Sequence, residues 1–282
     1  MQIFKEKEAL QTRISTFRKE GFSIGLVPTM GALHKGHLSL IESALENSGK
    51  VVISIFVNPT QFDNPKDLEL YPRDLEKDIQ HISRVSEDVI VFSPDPQEIY
   101  GSRPVSEEFS FDGLEDEMEG KYRKGHFNGV GTIIRKLFEI IRPDKAFFGE
   151  KDFQQLQIIR KLVDKLQLNV QIIGWGGGGG GGGLARSSRN ERLDPENRKA
   201  ASMIYEILQQ VRADFGTKSV SDINAWVRSR FSDNNRLRLE YFEIADSQTL
   251  KSVANIDQNR KYRAFIAAFA GDVRLIDNIA LN

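Results

Sequence analysis

The chain of 282 residues has no cysteine. That excludes disulfides, thiolate catalysis and cysteine-based zinc sites, and it suits a reducing cytoplasm. Long apolar runs are missing too: none approaches the roughly 20 residues of a membrane span. The segment Met1 to Lys7 is charged and lacks the apolar core of a signal peptide, so an unexported, cytoplasmic protein is expected. Neither sign of charge is in excess, with 39 Lys plus Arg against 40 Asp plus Glu mixed along most of the chain. A nucleic-acid-binding surface would need a basic stripe or a high pI, so small molecules are the expected partners.

The length favours two domains over one. Short β-rich runs, Ser23 to Val27, Val51 to Val57, Asp88 to Phe92, Lys145 to Phe148 and Asn169 to Ile173, read as strands. Between them apolar residues recur at helical spacing: Leu75, Ile79 and Ile82; Val130 to Ile141; Leu156, Ile159 and Leu162. This alternation predicts βαβ units, hence an α/β, doubly wound, Rossmann-like parallel sheet in a domain spanning 1–175. From 184 to 282 the pattern changes to a smaller α+β domain. Asp194-Pro195 signals a helix start that carries Ile204, Leu208 and Val211 on one face. Leu237 to Ile244, Arg263 to Phe269 and Val273 to Ile279 read as antiparallel strands, the last two joined at Ala270-Gly271-Asp272.

At the junction lie eight consecutive glycines, Gly176 to Gly183. Glycine loses the most backbone entropy on ordering, so a plain flexible linker is one reading. A pure octaglycine inside an enzyme is compositionally abnormal, and reads better as a substituted stretch, either engineered or standing in for unidentified residues. An intact mass matching eight glycines would exclude the second version.

In an open parallel sheet, ligands bind beyond the carboxyl ends of the strands. After the first predicted strand come Met30, Gly31, Ala32, Leu33, His34, Lys35, Gly36 and His37, leading into a helix over Leu38 to Glu46. Two of the four histidines thus stand three apart at a helix N-terminus, where free amides and the dipole attract anions. A zinc reading is weak, because no third ligand is evident and that end of a helix repels cations; the metal ligands are left unassigned. After the second strand, Asn58 and Gln61 offer neutral hydrogen bonds to a hydroxyl or carboxylate, although Asn58-Pro59 also signals a plain turn. Gly149, Glu150, Lys151 and Asp152 follow the fourth strand, with Gln155 on the next helical turn; Lys151 can meet a phosphate as a point charge. Arg186, Ser187, Ser188 and Arg189 combine hydroxyls with a guanidinium fork that suits phosphate. Tyr122 to His126 reads equally as a basic flap or a solvated turn.

The runs PTMGALHKGHLSL, FVNPTQF, YRKGHFNGV, FFGEKDFQQL and LARSSRN, in this order, resemble the pantoate-beta-alanine ligase family across nearly the whole chain. The HxGH element is also similar to the HIGH motif of the wider nucleotidyltransferase superfamily, and the serine-arginine segment to the KMSKS loop. The resemblance implies condensation of pantoate with β-alanine through pantoyl adenylate, with Mg-ATP consumed and AMP and pyrophosphate released, by a homodimer. By the family pattern His34 and His37 meet the phosphates, His37 as proton donor, and Lys151 and Arg189 share the catalytic load. Met30 to His37, Gly149 to Asp152, Gly178 and Arg186 to Arg189 line the ATP site; Gln61 and Gln155, with Asn58, hold pantoate, and Gln61 also meets β-alanine. One departure stands out. Where the family reads like PTVREEDG, this chain has glycines, and only Gly183 agrees; any side-chain contact to ATP from that stretch is lost here.

Three rivals remain at this level. A nucleotidyltransferase acting on a phosphate ester has no use for Gln61 and Gln155. A class I tRNA synthetase needs more length and a basic surface. A nucleotide-binding protein that has lost catalysis would bind ATP without releasing pyrophosphate.

Overall fold

The structure, a computed structural model, describes residues 1–176 and 187–282. The octaglycine from its second residue onward, Gly178 and Arg186 lie outside the described residues. The chain divides into two compact units, one of Met1–Glu115, Gly120–Glu150 and Gln155–Gly177, the other of Asp116–Glu119, Lys151–Gln154 and Gly178–Asn282.

The first unit is built on six strands: β1 (Gln2–Phe4), β2 (Ile24–Thr29), β3 (Lys50–Ile55), β4 (Ile90–Phe92), β5 (Lys145–Gly149) and β6 (Gln171–Trp175). They form one parallel sheet in the order β1-β4-β3-β2-β5-β6. Runs such as Val51, Val52 and Ile53 are apolar without alternation because they are wholly buried, as strands covered on both faces must be. Val27, Ile41, Ala44, Val51, Ile53, Ile82, Val91 and Phe147 form one of its cores. The five predicted strands are present with shifted ends. β4 starts at Ile90, where its pairing with β3 begins at Val52↔Ile90, and β3 stops at Ile55, its last partner on β2. β1 went unread: three residues carry too little alternation, and only pairing with β4 makes them a strand. The strand order reverses between β2 and β5, which pair in parallel through Gly25↔Lys145 and Leu26↔Ala146. That is the topological switch point, where ligands of doubly wound sheets bind.

The second unit packs helices Pro195–Asp214 and Val220–Ser232 on an antiparallel sheet of β7 (Leu237–Asp246), β8 (Tyr262–Ala270) and β9 (Val273–Ala280). Asp194 caps the first helix, accepting from the Asn197 amide at 2.7 Å with Pro195 at the first helical position. Ala270 pairs with Val273, and Gly271 turns the hairpin with φ +56°. Inside this unit Arg274 grips the Glu119 carboxylate with two bonds of 2.8 and 2.7 Å, and the Tyr241 hydroxyl donates to the same carboxylate at 2.9 Å. Burial, then the neighbouring carboxylate, pushes the Tyr241 phenol well above its ordinary pKa.

Candidate functional site

The loop between β2 and the helix Lys35–Asn47 is built to hold its backbone fixed. Gly31 adopts φ +79°, and a Cβ there would lie 2.9 Å from Asp78 Oδ2 and 3.3 Å from Ile55, so glycine is required by conformation and by space. Ala32 follows at φ +50°. Asp78, on helix Leu75–Ser83 and 2% exposed, accepts from the Ala32 amide at 3.0 Å and the Leu33 amide at 2.7 Å. His81, one turn on, bonds the Leu33 carbonyl at 3.0 Å through Nδ1, and Leu33 itself is buried in the core. Burial holds the Asp78 carboxyl above its ordinary pKa, while the two amides pull it down. Nothing in the sequence marked Asp78 or His81, because charged residues on an amphipathic helix ordinarily lie on its solvated face.

The helix itself begins at Lys35, earlier than the predicted Leu38, because the two histidines form its cap. His34 is the N-cap: its Nδ1 accepts from the Gly36 amide at 3.1 Å, and His37 Nδ1 accepts from the His34 amide at 3.3 Å, a reciprocal capping box. The rings stack with centroids 4.0 Å apart. An Nδ1 that accepts carries no proton, so in each neutral ring the proton sits on Nε2. Each histidine therefore caps with Nδ1 and, when neutral, carries its proton on Nε2.

Beyond β3, Asn58 is 1% exposed and its amide is fully engaged. Nδ2 donates to Gln61 Oε1 and to the Gly129 carbonyl, both at 3.1 Å, and Oδ1 accepts from the Tyr100 hydroxyl at 2.5 Å and from Thr60 at 3.1 Å. Its role in the fold is to hold Gln61, whose Nε2 meets Met30 Sδ at 3.2 Å. The loops after β2 and β3 are thus joined side chain to side chain. His126, 6% exposed, bonds the Gln61 carbonyl at 2.8 Å through Nδ1, with Arg123 Nη1 3.2 Å from its Nε2. The Tyr122 to His126 stretch is accordingly pinned at its His126 end beneath Gln61. Gln155 lies half-buried on the first turn of helix Phe153–Lys165, and Glu150 stands close to Gly174 and Gly176.

Within the second unit, Lys151 lies in the turn Glu150–Asp152 with Nζ 3.6 Å from Asp152 Oδ1. Ser187 caps the single turn Ser188–Arg192, accepting from the Arg189 amide at 3.3 Å, and Ser188 is buried.

The family model described as Pantoate-beta-alanine ligase matches residues 2–280. The chain is 58% identical to the pantothenate synthetase of Christiangramia forsetii and 50% identical to that of Flavobacterium psychrophilum, each over the full length of both proteins. Among solved structures, the pantothenate synthetase of Thermus thermophilus superposes with a TM-score of 0.91 at 34% identity, covering 100% of this chain and 99% of that one. The pantoate-beta-alanine ligase of Francisella tularensis, complexed with beta-gamma ATP and beta-alanine, gives 0.83 at 35% identity over 100% and 98%.

Proposed function

The chain belongs to the pantoate-beta-alanine ligase family, and from that premise we propose how its residues carry out the ATP-dependent condensation of pantoate with β-alanine. In the first step a carboxylate oxygen of pantoate attacks the α-phosphorus of Mg-ATP in line. The bond to the bridging oxygen breaks, pyrophosphate leaves, and pantoyl adenylate remains. In the second step the amine of β-alanine attacks the acyl carbon of this mixed anhydride, AMP departs and pantothenate is formed. The Francisella relative's complex with beta-gamma ATP and beta-alanine supports this pair of ligands.

The observation that carries the reading is the capping box of His34 and His37. Negative charge grows on the phosphoryl oxygens in the transition state, and donors fixed beforehand are the main source of acceleration. Two rings locked by their Nδ1 atoms into a helix N-terminus supply two such Nε2–H donors beside the helix amides. Met30 to His37, Gly149 to Asp152 and Ser187 to Arg189 are assigned to ATP, with Lys151 and Arg189 countering phosphate charge. Gln61 and Gln155 are assigned to pantoate, and Gln61 to β-alanine. Asn58, its own amide spent, serves pantoate by holding Gln61. A buried amide rejects acids that lack the matching hydroxyl, because it would be left unpaired. Magnesium enters with the nucleotide, held by its phosphates.

Residues 1–175 are assigned to the nucleotide- and pantoate-binding domain and 184–282 to the smaller one, except that Asp116–Glu119 and Lys151–Gln154 belong to the second compact unit. No helix among the described residues is long and apolar enough to cross a membrane, and the lack of cysteine supports a cytoplasmic setting. The family pattern supports a homodimer, which light scattering would read as twice the chain mass. The test of the chemistry is incorporation of labelled pyrophosphate into ATP, with magnesium and pantoate present and β-alanine absent. Pantoate-dependent exchange is expected. No exchange in a protein that still binds ATP would reject the assignment, unless restoring PTVREEDG at 176–183 brings exchange back, which places the fault in the glycines.

A further inference from the structure

The carbonyl of Lys151 is held by a residue 127 positions away. Asn278, on β9, donates Nδ2 to that carbonyl at 2.6 Å. The Asn278 amide is itself oriented: its Oδ1 accepts from Arg263 Nη1 on the adjacent strand β8, and its backbone N–H donates to Asp277 Oδ1 at 2.8 Å. Arg263 then reaches the next residues of the lysine's turn, its guanidinium lying 3.9 Å from the centroid of the Phe153 ring. Phe153 also packs against Phe265 at 6.1 Å, and Phe265 is the register partner of Asn278 across β8 and β9. So the turn that carries Lys151 is gripped twice by the same strand pair, once through its backbone and once through the ring two residues on. These residues all fall within one compact unit, which takes Lys151–Gln154 out of the chain stretch around it.

A lysine side chain has four rotatable bonds, and whether its ammonium meets a developing charge depends on where the backbone starts it. In the turn after β5 the Lys151 carbonyl is oriented from β9. We propose that Asn278 is a positioning residue for Lys151, setting through the lysine's carbonyl the direction in which the ammonium leaves the turn. This rests on the assignment of Lys151 to the phosphates, and the experiment separates the two.

Pantoate-dependent pyrophosphate exchange and overall turnover would be measured in the full chain for Asn278→Ala, Lys151→Ala and the double variant. Expected are a fall in kcat of about 10-fold for Asn278→Ala with KM for pantoate unchanged, and a larger fall for Lys151→Ala. The double variant should be no slower than Lys151→Ala alone, since Asn278 acts only through the lysine. If Asn278→Ala costs the same factor in both backgrounds, its role is general stability and the proposal is overturned. A normal rate in Asn278→Ala beside a slow Lys151→Ala overturns it as well, while leaving the lysine's assignment intact. A normal rate in Lys151→Ala rejects that assignment and the proposal together. Should Asn278→Ala fail to fold, Asn278→Asp serves in its place: it keeps the shape and the Arg263 contact, but sets an acceptor against the Lys151 carbonyl and is expected to lose the same factor.

Discussion

A histidine that caps a helix and meets a phosphate does two jobs with two nitrogens, and substitution can take them apart. In His37→Asn the new side-chain oxygen sits where Nδ1 sat and can still accept from the His34 amide, but nothing reaches the position of Nε2. In His37→Ala both functions go. Asparagine should therefore keep the melting temperature close to that of the parent while kcat falls by ~100-fold or more, as when one oxyanion donor is removed. Alanine should show the same kinetic loss together with about 1 kcal/mol of lost stability from the cap. Thermal melts beside steady-state kinetics would check both, and an unchanged kcat in His37→Asn would reject the Nε2 role. The histidines themselves were legible because they stand three apart between glycines and after a strand. Their support was not. Asp78 reads as one more surface carboxylate until the fold brings it under Ala32 and Leu33, 46 and 45 residues away. Asn58 was legible as a polar residue at a strand end, but not as one whose hydrogen bonds are all spent inside the protein.

At the level of elements, periodicity disclosed what local apolar patterning controls, and missed what only contact decides. The five strands read from the sequence show as short apolar runs, and the helices between them as patterns of period 3.6. β1 and the exact strand ends follow from neighbours, and so does the course of helix His126–Ile141, which passes hard against the loop after β3. There Gly129 is the contact point. A Cβ on it would fall 2.3 Å from the Thr60 carbonyl oxygen and 2.6 Å from Gln61 Cα, and both are backbone atoms that cannot swing aside. In a helix interior Ala is otherwise the better residue, by about 1 kcal/mol. Gly129→Ala should reverse that preference and destabilise by roughly 1–3 kcal/mol through overpacking. Because the displaced backbone runs from Thr60 into Gln61, kcat/KM for pantoate should fall more than 10-fold, with ATP binding much less affected. Urea denaturation and pantoate titrations would test this, and a stabilised variant of normal specificity would show that the helix does not set the position of Gln61.

Across the whole molecule the charges nearly cancel, so the pH dependence of stability rests on individual carboxyls rather than on net charge. Asp112, beside Lys165 and Lys161, and Asp214, beside Lys218, are held below their ordinary range; their contribution is present above that range and lost only in stronger acid. Asp277 runs the other way. Burial raises it from 3.8 to about 6, even though the Asn278 amide, Lys151 and Arg263 favour its charged form, with Asp152 opposing them. A carboxyl whose folded pKa exceeds its unfolded one binds its proton more tightly in the folded chain. Its stabilising contribution is therefore full below about pH 4 and is lost as pH climbs through about 6. Asn in place of Asp277 can still accept from the Asn278 amide and never has to ionise. Asp277→Asn should match the parent at pH 4 and then pull ahead, reaching a plateau above pH 7 worth roughly 1–3 kcal/mol. Asp78, also raised by burial, is common to both proteins and cancels from the comparison. Melting curves at half-unit steps from pH 4 to 8 would trace the difference; a gap that stays constant, or one that opens on going down in pH, would mean that Asp277 is not carried into the folded protein against its charge.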